Sequence, residues 1–157
     1  MTGDGYNFAR LKEKILTMSR AQVWDKAVKE WSLTGVFHAG PGAAYTCECG
    51  HYPIVELCEI RNFYTRKTTT VGNVCVERFL RQRSDLIFNG VRKVRKEIEK
   101  PLSKKAIEFF YFREVLNDWE LDFYMDTRLT RHLTDKQLQT RIKINRKVLA
   151  AMVMRLK

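Results

Sequence analysis

All four cysteines of this chain lie between residues 47 and 75, at Cys47, Cys49, Cys58 and Cys75. Clustering of this kind constrains the fold more than any other feature, because it asks one short stretch to bring its sulphurs together. Zn²⁺ favours a tetrahedral set of soft thiolates, and four cysteines would close that shell. Gly50 and His51 follow Cys49 directly. The glycine supplies the backbone freedom of a tight turn, and His51 is a rival ligand that could replace Cys49. Disulfides and free thiols are the competing readings. No apolar run reaches the roughly 18 residues that cross a bilayer, and the N-terminal MTGDGYNFARLKEK lacks the apolar stretch of a secretion signal. The expectation is an intracellular protein, where thiols stay reduced and metal is favoured over disulfide.

The segment around the cysteines reads as β structure. Tyr45, Thr46, Ile54, Val55, Ile60, Tyr64, Thr68, Thr69, Thr70 and Val71 are β-branched or aromatic. They predict short strands with a hairpin turning near Thr65-Arg66-Lys67. Asn73 is a candidate cap for a helix over NVCVERFLRQR. Cys47 and Cys49 would come from a turn and Cys58 from a strand. Cys75 would sit in a first helical turn, where the helix dipole favours thiolate. This is a treble-clef-like order. A closed Cys₄ shell leaves no place for water, so one structural Zn²⁺ is expected, not a catalytic one.

Flanking segments read as helices. Phe8, Leu11, Ile15 and Met18 recur at helical steps over residues 7–18. Ser19 with Gln22 forms a capping-box pattern for a second helix running to about Leu33, with Val23, Trp24, Ala27, Val28 and Trp31 on its apolar side and Gly35 as its stop. Beyond residue 84, Val91, Val94 and Ile98 mark one helix that ends before Pro101. Ser103 caps the next, whose stripe is Phe109, Phe112, Leu116, Trp119 and Phe123. Thr134 with Gln137 opens a last helix carrying Leu138, Ile142, Leu149, Met152 and Leu156. The expected fold is therefore α+β and mostly helical. Residues 1–44 form an N-terminal helical pair, 45–83 a zinc-bound β-hairpin module and 84–157 a basic C-terminal helical bundle.

Charge points to a partner. The chain has 29 Lys+Arg against 18 Asp+Glu, a net of +11. Residues 81–105 carry 9 basic and 3 acidic groups, and residues 131–157 carry 8 and 1. Concentrated cations on helices can neutralise phosphates and release counterions. Arg92, Lys93, Arg95, Lys96, Lys104, Lys105, Lys136, Arg141, Lys143, Arg146 and Lys147 are the candidate nucleic-acid contacts. Residues 126–149 could form a helix-turn-helix in which Gln137, Gln139, Arg141 and Asn145 reach base edges. Glu114, Asp118, Asp122 and Asp126 recur every four residues. They form an acidic face, or else a two-metal nuclease site. No base or positioning lysine stands beside them, and no nucleophile elbow, phosphate loop or HExxH motif occurs. The reading is a non-enzymatic protein without a small-molecule substrate or a membrane partner.

The string CECGHYPIVELCEIRNFYTRKTTTVGNVCVERFL resembles a zinc module of small uncharacterised phage and bacterial proteins. Cys47, Cys49 and Gly50 match its C-x-C-G knuckle. Ile60, Asn62 and Thr65 match its strand, and Val71, Gly72 and Cys75 its helix start. Leu133 to Gln137 is similar to a helix start that often follows. The resemblance implies a zinc-stabilised, nucleic-acid-associated or phage–host interaction module in the cytoplasm of a bacterial or phage-infected cell. Two partners follow as expectations. One is nucleic acid, DNA or RNA. The other is a host protein machine, such as a polymerase or a defence complex, that the chain would inhibit or redirect. Asn62 and Thr65 have a plainer reading as turn residues.

Overall fold

The computed structural model describes residues 3–80 and 84–153. They form an α+β protein that divides into two compact units, one up to Ser84 and one from Asp85 to Val153. Among the described residues no helix is long and apolar enough to cross a membrane.

The first unit contains α1 (Gly3–Thr17), α2 (Trp24–Val28), β1 (Trp31–His38), β2 (Glu56–Asn62), β3 (Thr68–Val71) and α3 (Asn73–Leu80). The three strands form one antiparallel sheet in the order β1-β2-β3. Val36 lies opposite Cys58, which in turn lies opposite Val71. Leu33, Val36, Leu57, Ile60 and Val71 are buried along the sheet. Val76 and Phe79 of α3 are buried as well. The Phe79 ring stands 5.6 Å from Trp24 and 6.5 Å from Trp31. The hairpin turn falls between Asn62 and Thr68, where the β-rich composition places it.

The second helix expected up to Leu33 is corrected. Only Trp24–Val28 is helical, and Trp31–His38 is a strand. Ser19 does not open a helix. Its hydroxyl donates to the Ile15 carbonyl and accepts from Trp31 Nε1, so it closes α1. Gly35 is not a helix stop. It follows a register shift in β1, where a Cβ would stand 2.6 Å from the Phe37 ring. Burial of one sheet face outweighed a helical period that also fits a strand of alternating exposure.

The second unit contains α4 (Ser84–Lys96) from its second residue on, α5 (Lys104–Phe112), α6 (Asp118–Thr127) and α7 (Asp135–Ala151). Ser103 caps α5 by accepting from Ala106 N–H at 3.2 Å. Thr134 and Gln137 make the reciprocal capping box of α7. The apolar stripe read from Phe109 to Phe123 is broken in two. Glu114 takes a positive φ of 60°, and Asn117 with Glu120 makes a second capping box that starts α6. Phe112 and Trp119 are consequently 78% and 62% exposed. The Asn-x-x-Glu pattern was the available signal for that break. The expected residues 81–83 and Leu156 lie outside the described residues.

A three-cysteine centre and basic helical faces

The site is built on a backbone knuckle. Tyr45 and Ile54 form an isolated antiparallel bridge. Inside it the Cys47 N–H donates to the His51 carbonyl at 2.9 Å and the Gly50 N–H to the Cys47 carbonyl at 2.8 Å. Gly50 has a φ of 92°, which glycine adopts without a Cβ penalty. Two further N–H groups aim at sulphur. His51 N–H donates to Cys49 Sγ at 3.4 Å, and Gly72 N–H to Cys47 Sγ at 3.3 Å. Cys75, the third residue of α3, brings its Sγ to 3.4 Å from Cys47 Sγ.

Cys47, Cys49 and Cys75 thus form one group, with all three sulphurs within 4.8 Å of one another. Thiolates bound to zinc at about 2.3 Å stand roughly 3.8 Å apart, so the trio fits a metal ion. The Cys75 thiol hydrogen-bonded to it, helped by backbone N–H groups, holds Cys47 below the usual thiol range, against the effect of burial. Burial pushes Cys49 up. Cys75 is pushed up by its hydrogen bond to Cys47 and by burial. Of the three, Cys47 is therefore the sulphur that gives up its proton most readily, and a soft cation would draw the protons from the other two.

Cys58, expected as the fourth ligand, is not in this group. It is fully buried in β2, and its thiol faces Asn73 Oδ1 at 3.5 Å. Burial pushes it up to about 12. Asn73 is the first residue of α3. Its Oδ1 also accepts from Ser84 Oγ at 3.1 Å, and its amide donates to Glu56 Oε1 at 2.9 Å. His51 is exposed, and it lines a cavity of about 360 Å³ together with Cys47, Cys49 and Cys75.

The candidate nucleic-acid residues fall into two sets. Arg92, Lys93, Arg95 and Lys96 are exposed on α4, whose Phe88, Val91 and Val94 are buried. Lys104, Lys105, Lys136, Lys143, Arg146 and Lys147 are exposed too. Some of these cations are engaged: Lys104 pairs with Glu108 at 3.8 Å and Lys147 with Glu120 at 2.8 Å.

Arg141 is a correction. It is only 5% exposed, and its guanidinium donates to the carbonyls of Thr127 at 2.7 Å and Glu99 at 3.5 Å. Asn145 is fully buried. It accepts from Tyr124 Oη at 2.6 Å and donates to the carbonyls of Ile98 and Lys100. Gln137 spends its side chain on the cap of α7. The reading-helix assignment fails at Arg141 and Asn145, since a side chain holding the core together cannot also reach a base. The acidic strip does not gather into a metal site among the described residues. Glu114 sits in the break before α6, and Asp118 accepts from the Tyr111 hydroxyl at 2.7 Å.

Of the two readings of Asn62 and Thr65, motif or turn residues, their hydrogen bonds show work in the turn. Asn62 Oδ1 accepts from the N–H groups of Tyr64 and Thr65 at 2.8 and 2.9 Å. Its amide donates to Glu30 Oε1 at 3.1 Å. The Thr65 hydroxyl donates to the Met18 carbonyl at 2.8 Å. Glu30 was missed by sequence reasoning. It is buried, and its carboxylate also accepts from the N–H groups of Arg20 and Ala21, both at 2.8 Å. Comparison of the chain with protein-family models, curated proteins and solved structures finds no match.

Proposed function

We propose that this protein binds nucleic acid through the basic faces of its second unit, while one structural Zn²⁺ organises the first. The observation that carries the nucleic-acid reading is α4. Four cations within five residues, Arg92, Lys93, Arg95 and Lys96, project opposite a buried apolar stripe. Cations mounted on a rigid helix position a phosphate backbone without reading its sequence. Binding should weaken roughly a hundredfold or more between 50 and 200 mM salt if about five phosphates are contacted. Neutralising Arg92, Lys93, Arg95 and Lys96 together should flatten that dependence. Arg141→Met should leave it unchanged, because Arg141 is buried. Affinity indifferent to salt would overturn the reading.

Three thiolates and His51 compose the zinc shell in this proposal. His51 shares the cavity with all three sulphurs, whereas Cys58 turns to Asn73. A knuckle, the β2–β3 hairpin and the start of α3 succeed one another as in a treble clef. Replacing zinc by Co²⁺ tests the ligand set. The sulphur-to-cobalt absorption should keep its intensity in Cys58→Ser, and the d–d bands should shift in His51→Ala. The reverse pattern would restore Cys58 as the ligand.

A further inference from the structure

The β2–β3 turn carries two aromatic rings that the core does not use. Phe63 is 69% exposed and Tyr64 49%. Their centroids stand 5.4 Å apart in an edge-on arrangement. Exposed large aromatics are normally spent on a core or an interface. Here the backbone holds them out on a rigid mount. Beyond the Asn62 and Thr65 bonds, Phe63 N–H donates to the Glu30 carbonyl at 2.7 Å, and Asn62 N–H to the Lys67 carbonyl at 2.9 Å. Arg66 closes the turn with a φ of 64°.

Cations surround the rings. The Arg20 guanidinium lies 3.5 Å from the centroid of Tyr64, and that of Arg66 lies 5.8 Å from Phe63. Arg61 and Lys67 flank the turn, both exposed. No Asp or Glu occurs from residue 60 to 73. Glu30, the carboxylate beneath the turn, is already engaged by three N–H groups.

We infer that this turn is a stacking platform for single-stranded nucleic acid, with bases on Phe63 and Tyr64 and phosphates on Arg20, Arg61, Arg66 and Lys67. Every base offers a π-face, so stacking tolerates any sequence, and adjacent cations track the backbone. A protein partner fits less well, because the centre of a protein interface is depleted of charge. The inference rests on the nucleic-acid reading above and adds a second site, on the other unit, with a preference for unpaired strands.

The test uses the full zinc-loaded chain and fluorescence anisotropy with a labelled 15-nucleotide oligothymidine and a 15-base-pair duplex. Phe63→Ala and Tyr64→Ala should each weaken oligothymidine binding roughly tenfold and change duplex binding much less. Phe63→Trp and Tyr64→Trp should retain affinity, which a merely structural loss would not allow. If both alanine variants bind oligothymidine as the wild type does, while the neutralised α4 variant does not, the platform is wrong and the helical reading stands. If the alanine variants lose oligothymidine while the neutralised α4 variant keeps both ligands, the platform stands and the helical reading falls. A wild type that binds neither oligonucleotide removes both. Ring-dependent binding to phosphatidylserine vesicles, without oligonucleotide binding, would assign the turn to a membrane surface and overturn the proposal.

Discussion

The two units bury polar chemistry to opposite ends. In the first, three sulphurs converge, held to one another only by the weak thiol contact between Cys47 and Cys75. In the second, the converging atoms are complementary. Tyr124 Oη accepts from Leu102 N–H at 2.9 Å and donates to Asn145, whose amide serves the carbonyls of Ile98 and Lys100. The first arrangement leaves room for a cation, and the second is closed on itself. Soft metal-ligating atoms brought together mark a ligand site, and matched donors and acceptors mark a scaffold. Glu30 and Asn62 show that the first unit also holds a scaffold of the second kind, placed at its turn. Arg141, which bonds to Thr127 and Glu99 beside that network, is less complete, since its Nε is buried without a hydrogen-bond partner.

Metal withdrawal should break this comparison most forcefully. Structural zinc binding is worth on the order of 10 kcal/mol. Treating zinc-loaded protein with a strong chelator should abolish amide exchange protection in β2, β3 and α3. Protection in α5, α6 and α7 should persist. Unchanged protection across the hairpin after verified metal removal would mean that the three sulphurs are ordinary core thiols.

A smaller effect is expected at the closed network. Asn145→Ala strands the Tyr124 hydroxyl and two carbonyls, so it should cost about 3 kcal/mol, seen in denaturant melts or in exchange from α7. A cost below about 1 kcal/mol would show that water replaces the asparagine and that the network is not a scaffold.

The smallest effect concerns acid. Burial opposes ionisation of Glu30, but the hydrogen bonds from Asn62, Arg20 and Ala21 win and hold its carboxyl below the ordinary 4.5. A lowered folded value means that the stabilisation is complete above 4.5 and fades as pH falls through the folded value. Wild type should therefore lose stability over that acid window more steeply than Glu30→Gln. Melting curves from pH 6 to 3 compare the two slopes, and parallel slopes would remove Glu30 from the account.

Much of the fold was legible where the signal was local. The hairpin near Thr65 and the caps at Ser103 and Thr134 depend on neighbours a few residues away, and each lies where its pattern places it, whereas of the four cysteines expected to meet across 28 residues only Cys47, Cys49 and Cys75 do. β1 was not legible, because Trp31 continues the helical steps of Trp24, Ala27 and Val28, and only pairing with β2 decides. The break before α6 was masked by an apolar stripe that happens to continue through it.

The sequence by itself determined that sulphur chemistry sits at the middle of the chain and that positive charge gathers toward its end, since composition and spacing are written in it. Only the tertiary structure decided which sulphurs meet and which cations face outward. Cys58 and Arg141 look like their neighbours in the sequence. The one turns to Asn73 and the other to backbone carbonyls because burial makes each polar atom seek the nearest partner, and that partner is set by packing between distant segments.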